Sequence, residues 1–369
     1  MNEDKSSRYH RLKRRASLTS LAWSATFLAG LLWSGLSLDL RSLAESVGLP
    51  LGAPAAAIVY VCLLMCLHEL GSAPIAWYGG FLLERRYGLS NEKIGAWLAD
   101  QLKSLAVGLV LACGGTLTVY ALITRSPERW WLTAGVAFTA LILALTHLSP
   151  IVLLPMFYRL KPLDNESLRA RLLGLAERSG AHVLGAYEWA LSDKTKKANA
   201  ALTGVGATRR ILVSDTMLAE YSDDEIEVVL AHELAHHVHG DIWKGMAFES
   251  ALIVAGFYLA ARVLGALAGP VGLRDVADIA GLPLLLLAAG AVSFVMAPVA
   301  HAMSRGYERS ADKFALDLTR NPDAFISAMR RLGAQNLAEE RPSKMVQWLY
   351  YNHPPLRERI AAAQAFGHR

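Results

Sequence analysis

The sequence predicts a mainly α-helical, polytopic membrane protein with about six transmembrane helices and one larger polar region that carries a small β-sheet. Three observations lead to this fold class. Of the 369 residues, 53% are hydrophobic. These apolar residues are bunched into six stretches, roughly 17–38, 54–80, 104–124, 131–157, 246–268 and 279–303, each near the ~20 residues needed to cross a hydrocarbon core. The longest polar segment, 158–245, shows short periodic runs instead and contains His-Glu-x-x-His at His232, Glu233 and His236. The chain accordingly divides into a four-span bundle at 1–157, a polar region at 158–245, a transmembrane hairpin at 246–303 and a second polar region at 304–369.

Ahead of the first stretch stand Lys5, Arg8, Arg11, Lys13, Arg14 and Arg15. The stretch is long and lacks a convincing small-x-small cleavage site, so it reads as a retained anchor and not as a signal peptide. The basic end is expected to stay cytoplasmic. The loop after the second span, with Glu84, Arg85 and Arg86, agrees with that orientation. Beyond Ser90 as a cap, an amphipathic run with Lys93, Trp97 and Lys103 reads as a helix lying near the membrane surface. Spans three and four form a hairpin, with Trp130 and Trp131 at the interface. Pro150 and Pro155 should kink or break the end of span four, and Arg159 and Lys161 mark its cytoplasmic exit.

Cys62, Cys66 and Cys113 all fall inside spans, where they pack as small hydrophobes and form no external disulfide framework. The formal net charge of +5 is modest and its basic residues sit in loops beside the spans. Nothing there resembles a nucleic-acid surface. The lipid bilayer is the partner that composition requires.

In the polar region, Asp164 is positioned to cap a helix from about Asn165 to Ser179, with Gly180 as its stop. Tyr187 to Leu191, Asn199 to Leu202 and Arg210 to Val213 read as short strands. An edge strand beside an active-site helix would let an extended substrate pair with backbone. Between strands, Lys194-Thr-Lys-Lys-Ala198 is most simply a solvated turn, a substrate-facing role being the alternative.

Ser222, three residues before Glu225, forms a capping box for the next helix, Asp223 and Asp224 complement its dipole, and Gly240 supplies a stop. On that helix His232 and His236 project from one face, where two imidazoles grip a divalent ion while Glu233 stands beside it. This is the geometry of a hydrolytic site for one Zn²⁺ ion, which needs a third protein ligand and a water. Glu308 is the candidate, expected at the start of a helical segment after span six, with Asp312 one turn on to accept a hydrogen bond from a ligating histidine. Alternatively, both acids pair with Arg305 and Arg309 on a solvated helix. His237 and His239 lie off the ligand face, as helix C-terminal cations or neutral surface groups. His68 and Glu69, inside span two, either line a water-filled cavity or serve packing.

With Tyr350-Tyr-Asn-His-Pro-Pro-Leu-Arg-Glu-Arg359 the chain resembles the type I CAAX prenyl endopeptidases. The likeness runs from about residue 84 to the end. It rests on Arg86-Tyr-Gly-Leu-Ser-Asn91, Trp97 to Lys103, Pro150 to Leu163, Asn199-Ala200, Arg210 to Thr216, the zinc helix, Glu308 to Asp312, and His353-Pro-Pro. The resemblance implies a gluzincin-like zinc metalloendopeptidase fold enclosing a chamber within the helical bundle. It implies His232, His236 and Glu308 as zinc ligands, Glu233 as general base and Asp312 behind the ligands. His353 and Arg359 would stabilise the oxyanion, and Asn199 with Ala200 would lie on the substrate-binding edge. Substrates would be peptides or proteins, prenylated or otherwise membrane-associated. The chain lacks the seventh span and longer insertion of eukaryotic members and resembles a compact bacterial one, for which the inner membrane and a cytoplasmic site are expected. Two other readings are a membrane quality-control zinc protease without a prenyl requirement, and a non-catalytic transporter or scaffold with a structural metal site.

Overall fold

A computed structural model describes residues 4–204 and 206–367. Six helices among them are long and apolar enough to cross a membrane: Lys5–Ser34, Ala53–Arg86, Ile94–Arg125, Trp130–Phe157, Asp241–Leu267 and Ile279–Thr319. Each covers most of an expected span, yet several run well past it into polar sequence. The third is the clearest case. The amphipathic run expected to lie on the membrane surface is the opening of the continuous helix Ile94–Arg125, because no proline separates that run from the apolar stretch beyond it. The sixth likewise continues through Pro298 to Thr319. Glu308 therefore does not start a new segment but sits on the same rod as the span. At the end of the fourth, Pro150 and Pro155 are absorbed by a π-helical turn at Ser149–Leu153 and one further turn of α-helix, instead of breaking the helix.

A helix that the sequence reading omits, Leu36–Gly48, folds back after Gly35, whose φ of 78° turns the chain. It returns against the second span so closely that a Cβ on Gly48 would lie 2.4 Å from the Ala56 Cα. Only glycine fits there. At that same end Ser37 donates to the Ala280 carbonyl at 2.6 Å and bonds the Tyr60 hydroxyl at 2.7 Å, tying three chain segments together.

The polar region folds as one layer of helices on a small sheet. Among the described residues the sheet has four strands: β1 (Leu160–Pro162), β2 (Ala186–Trp189), β3 (Ala200–Thr203) and β4 (Arg210–Ser214), in the order β1-β2-β4-β3. β1 pairs antiparallel with β2, β2 parallel with β4, and β3 antiparallel with β4. The additional strand, β1, lies in what the sequence suggested was only the exit from span four. β4 is flanked on both sides, and its Ile211, Leu212 and Val213 are buried accordingly. β3 is an outer strand. The helix Glu166–Arg178 is capped by Asn165, whose side chain accepts from the Leu168 amide at 3.0 Å; the expected cap, Asp164, lies one residue too early. Leu168, Leu172 and Leu175 of this helix join Ile211, Leu230 and Phe325 in the core.

The segment Lys194–Ala198 is not a solvated turn. Lys194 pairs with Asp100 of the third span, and Lys197 with Glu84 of the second at 2.9 Å. The Asn91 amide donates to the Lys194 carbonyl at 3.0 Å and the Lys196 amide to the Leu89 carbonyl at 2.9 Å. Two of its three lysine charges are taken up by carboxylates of the membrane helices, so the segment is the seam that fixes the sheet to the bundle.

Candidate metal centre

The motif helix spans Asp223–Val238 and carries both halves of the anticipated capping box: the Glu225 amide donates to Ser222 Oγ at 3.3 Å, and the Ser222 amide to Glu225 Oε2 at 2.8 Å. Glu225 is buried and also receives Ser327 Oγ and, at 2.9 Å, Arg331 Nε. The cap thus fixes the helix to its neighbour as well as starting it. Gly240, at φ 67°, ends the helix and turns directly into the fifth span.

One face of this helix meets the sixth span's rod. His232 Nε2 lies 3.2 Å from Glu308 Oε2 and His236 Nε2 lies 3.4 Å from Glu308 Oε1. One donor atom from each of the three falls within 4.8 Å of the others. Ligand bonds of 2.0–2.1 Å in a tetrahedron put ligand atoms roughly 3.3 Å apart, a spacing that the two histidine contacts to Glu308 approach, each on a different carboxylate oxygen. Glu308 Oε2 is buried and has no well-aligned hydrogen bond, although His232 Nε2 and His353 Nδ1 stand 3.2 and 2.6 Å away. A buried carboxylate oxygen so placed suits a cation.

Each imidazole has its other nitrogen held by a carboxylate. His232 Nδ1 is 2.9 Å from Asp312 Oδ1, and His236 Nδ1 is 3.1 Å from Asp241 Oδ2. These contacts assign Nδ1–H as donor and leave both Nε2 atoms facing Glu308. Burial alone would lower the His232 pKa, but hydrogen bonds to Asp312 and Glu308 carry it up to about 9. Asp312 is itself gripped by Arg359, with Nε at 2.8 Å from Oδ2 and Nη2 on Oδ1. Asp241 receives Lys244 Nζ at 3.0 Å. Asp241 was missed in the sequence; its signal was an acid just past the Gly240 stop, five residues after the second histidine.

Burial pushes the Glu233 carboxyl up from its ordinary value. His353 approaches from the C-terminal side and keeps 52% of its side chain exposed, against 7% for Glu308. It is therefore the solvent-facing member of the cluster. Asn199, just ahead of β3, has an exposed side chain and a backbone tied to Ser214 through both its amide and its carbonyl, whereas Ala200 is buried. Ala200 opens the outer strand and Asn199 precedes it; neither is among the three residues of the metal set. His237 lies off the ligand face, with Nε2 3.4 Å from the Leu202 carbonyl of β3, and burial lowers its pKa. It is a neutral brace between helix and strand. His239 lies 3.4 Å from Ser310 Oγ.

Between the spanning helices lies a partly open, mostly apolar cavity of about 570 Å³. His68, Glu249 and Ser293 are among the few polar groups on its wall. His68 Nε2 is 2.9 Å from Ser24 Oγ, so the residue both lines the cavity and serves packing.

Comparison with known proteins agrees with this arrangement. Residues 162–366 match the model of peptidase family M48, and residues 2–159 match the segment described as the CAAX prenyl protease N-terminal region with five membrane helices. In this chain those residues hold four helices of spanning length and the shorter Leu36–Gly48. A Bacillus subtilis protein described as an uncharacterized metalloprotease, YhfN, is 31% identical over 309 residues, covering 83% of this chain and 72% of its own. CAAX prenyl protease 1 of Saccharomyces cerevisiae is 28% identical over 334 residues, covering 84% and 72%. The crystal structure of S. mikatae Ste24p superposes with a TM-score of 0.85 over 97% of this chain and 87% of that one, at 22% identity, which establishes the shared fold.

Proposed function

The chain belongs to peptidase family M48, a multi-pass membrane metalloprotease, and from that premise we propose that it is a zinc endopeptidase of the gluzincin kind. His232, His236 and Glu308 would hold the ion. The observation that carries this reading is their convergence, with one donor atom of each within 4.8 Å of the others and the second nitrogen of each histidine already beside a carboxylate.

Zinc, when bound, supplies Lewis-acid charge that polarises the scissile carbonyl and acidifies the attacking water. Glu233 takes the proton from that water on its carboxylate and returns it to the leaving amine. His353 offers an imidazole N–H from the open side to the carbonyl oxygen as charge develops there. Arg359, committed by two nitrogens to Asp312, contributes positive charge beside His232 and keeps Asp312 ionised and oriented. The outer edge of β3, reached through Asn199 and Ala200, would receive an extended peptide as an added strand.

The proposed substrates are peptides or proteins held at the bilayer, with a prenyl or similar chain entering the apolar cavity. The relatives named as CAAX prenyl proteases and the cavity's lining support this class. The basic amino terminus touches the peptidase region directly, with Arg14 Nη1 2.7 Å from Glu339 Oε2. That contact supports a site on the same side of the membrane as the basic end, which the positive-inside rule would make the cytoplasmic side. In purified protein, Glu233→Gln is expected to retain zinc and lose about 10²- to 10⁴-fold in turnover. Cleavage of a farnesylated peptide is expected to exceed that of its unmodified twin. Full turnover by Glu233→Gln would overturn the mechanism; equal cleavage of the twins would point to a quality-control protease.

A further inference from the structure

The basic amino-terminal segment has a second role that its charge alone does not require. Tyr9, His10, Lys13 and Arg14 lie on adjacent rows of the first helix, and each makes a specific contact outside that helix. Tyr9 donates to Glu84 at 2.6 Å and Lys13 to the same carboxylate at 2.7 Å. His10 Nε2 is 2.8 Å from the Leu337 carbonyl. Arg14 Nη1 donates to Glu339 Oε2 at 2.7 Å and to the Tyr351 hydroxyl at 3.3 Å, and that hydroxyl also donates to Glu339. Topology needs only positive charge on one side of the bilayer. It does not need a half-buried arginine engaged with a carboxylate that is 9% exposed.

Tyr351 is two residues before His353. Its carbonyl accepts from Arg305 Nη1 at 2.6 Å, and Arg305 stands one helical turn before Glu308 on the sixth span's rod. Tyr351 is thus held at both ends: the ring hydroxyl by Arg14 and Glu339, the backbone by Arg305. Two residues on, His353 Nδ1 is 2.6 Å from Glu308 Oε2 although half of its side chain is exposed. An exposed imidazole has few packing contacts of its own to fix it. Its place must come from the backbone on which it rides.

We propose that Arg14 is a positioning residue for His353, acting through Glu339 and the Tyr351 hydroxyl to hold the 351–353 turn against the metal centre. This rests on the reading of His353 given above. The first helix is then part of the active-site scaffold as well as an anchor, and its loss leaves the metal ligands intact while the imidazole wanders.

The test uses the full-length protein purified in detergent, with a quenched-fluorescence peptide as substrate. Arg14→Ala, and separately Tyr351→Phe, which removes only the hydroxyl, are expected to lower kcat about 10- to 100-fold, the scale of a misplacement near 1 Å. Zinc content and the apparent KM should stay near those of the parent, and Arg14→Lys should recover part of the loss. The decisive arm repeats Arg14→Ala and Tyr351→Phe on a His353→Ala background, where neither should lower kcat further. Equal losses with and without His353 would overturn the relay, as would unchanged kcat in both single variants. If His353→Ala alone leaves kcat intact, the assignment of His353 fails first and takes the relay with it. Should Arg14→Ala fail to accumulate, Tyr351→Phe carries the same comparison.

Discussion

The candidate metal centre is built from two helices of opposite character. The motif helix is short, capped at its start, stopped by glycine, and contributes His232, His236 and Glu233 within five residues. The rod that contributes Glu308 and Asp312 is 38 residues of continuous α-helix, long and apolar enough to cross a membrane. One half is defined by local sequence; the other is delivered from beyond a membrane hairpin. The short helix has its own cap and core contacts and needs the ion little for its shape. The rod brings two buried carboxylates, Glu308 and Asp312, that need cations. Arg359 supplies one to Asp312, and a metal ion held by His232, His236 and Glu308 would supply the other to Glu308 and so fasten the rod to the motif helix.

Removing the rod's ligand should break this fastening most completely. Glu308→Ala leaves two imidazoles, too few for a catalytic zinc site. It is expected to abolish stable metal binding and cleavage together, read as zinc per protein by atomic emission and as peptide turnover. Chelation of the parent protein should mimic it, and added zinc should restore the parent but not the variant. Stoichiometric zinc in Glu308→Ala would mean that another group closes the site.

The supporting carboxylates offer a finer contrast, because each histidine has one. Asp312 belongs to the rod, is nearly buried and is clamped by Arg359, whereas Asp241 follows the motif helix directly and is paired with a half-exposed lysine. Loss of such a partner typically costs 10- to 100-fold in metal affinity. Asp312→Ala is expected at the upper end, since it also leaves Arg359 as a buried, unpaired cation. Asp241→Ala should lie at the lower end, where Lys244 can turn to solvent. Competition titration with a chromogenic chelator measures both, and the reverse order would mean that burial does not govern the effect.

The same division decides what could be read from the chain. Ser222, Glu225, His232, Glu233 and His236 announce themselves because their partners lie within one or two turns. Glu308 could be found only by asking what completes the metal set, and its continuous rod was obscured by the polar residues 304–312, which resemble a fresh start. Asp100 with Lys194, Glu84 with Lys197 and Arg14 with Glu339 join positions from about a hundred to over three hundred residues apart. No local periodicity marks such pairs. Each charge looks like ordinary solvated surface until the fold brings its partner. The strand β1 was hidden for another reason: its three residues, one a proline, carry too little pattern to separate a short strand from the end of a span.

The smallest expected effect tests how self-sufficient the motif helix is. Ser222→Ala removes one acceptor for the Glu225 amide, yet leaves the Glu225 side chain on the residue 222 amide, on Ser327 and beside Arg331. Loss of a helix cap costs about 1 kcal/mol. Because Glu225 is held from the neighbouring helix as well, the helix start should stay in place and the candidate metal ligands, about three to four turns on, should keep their geometry. Zinc affinity and kcat are therefore expected to match the parent while thermal unfolding, followed in detergent, comes slightly earlier. A parallel fall in zinc affinity would mean that the cap sets the ligand geometry, and that even the local half of the site depends on every part of its frame.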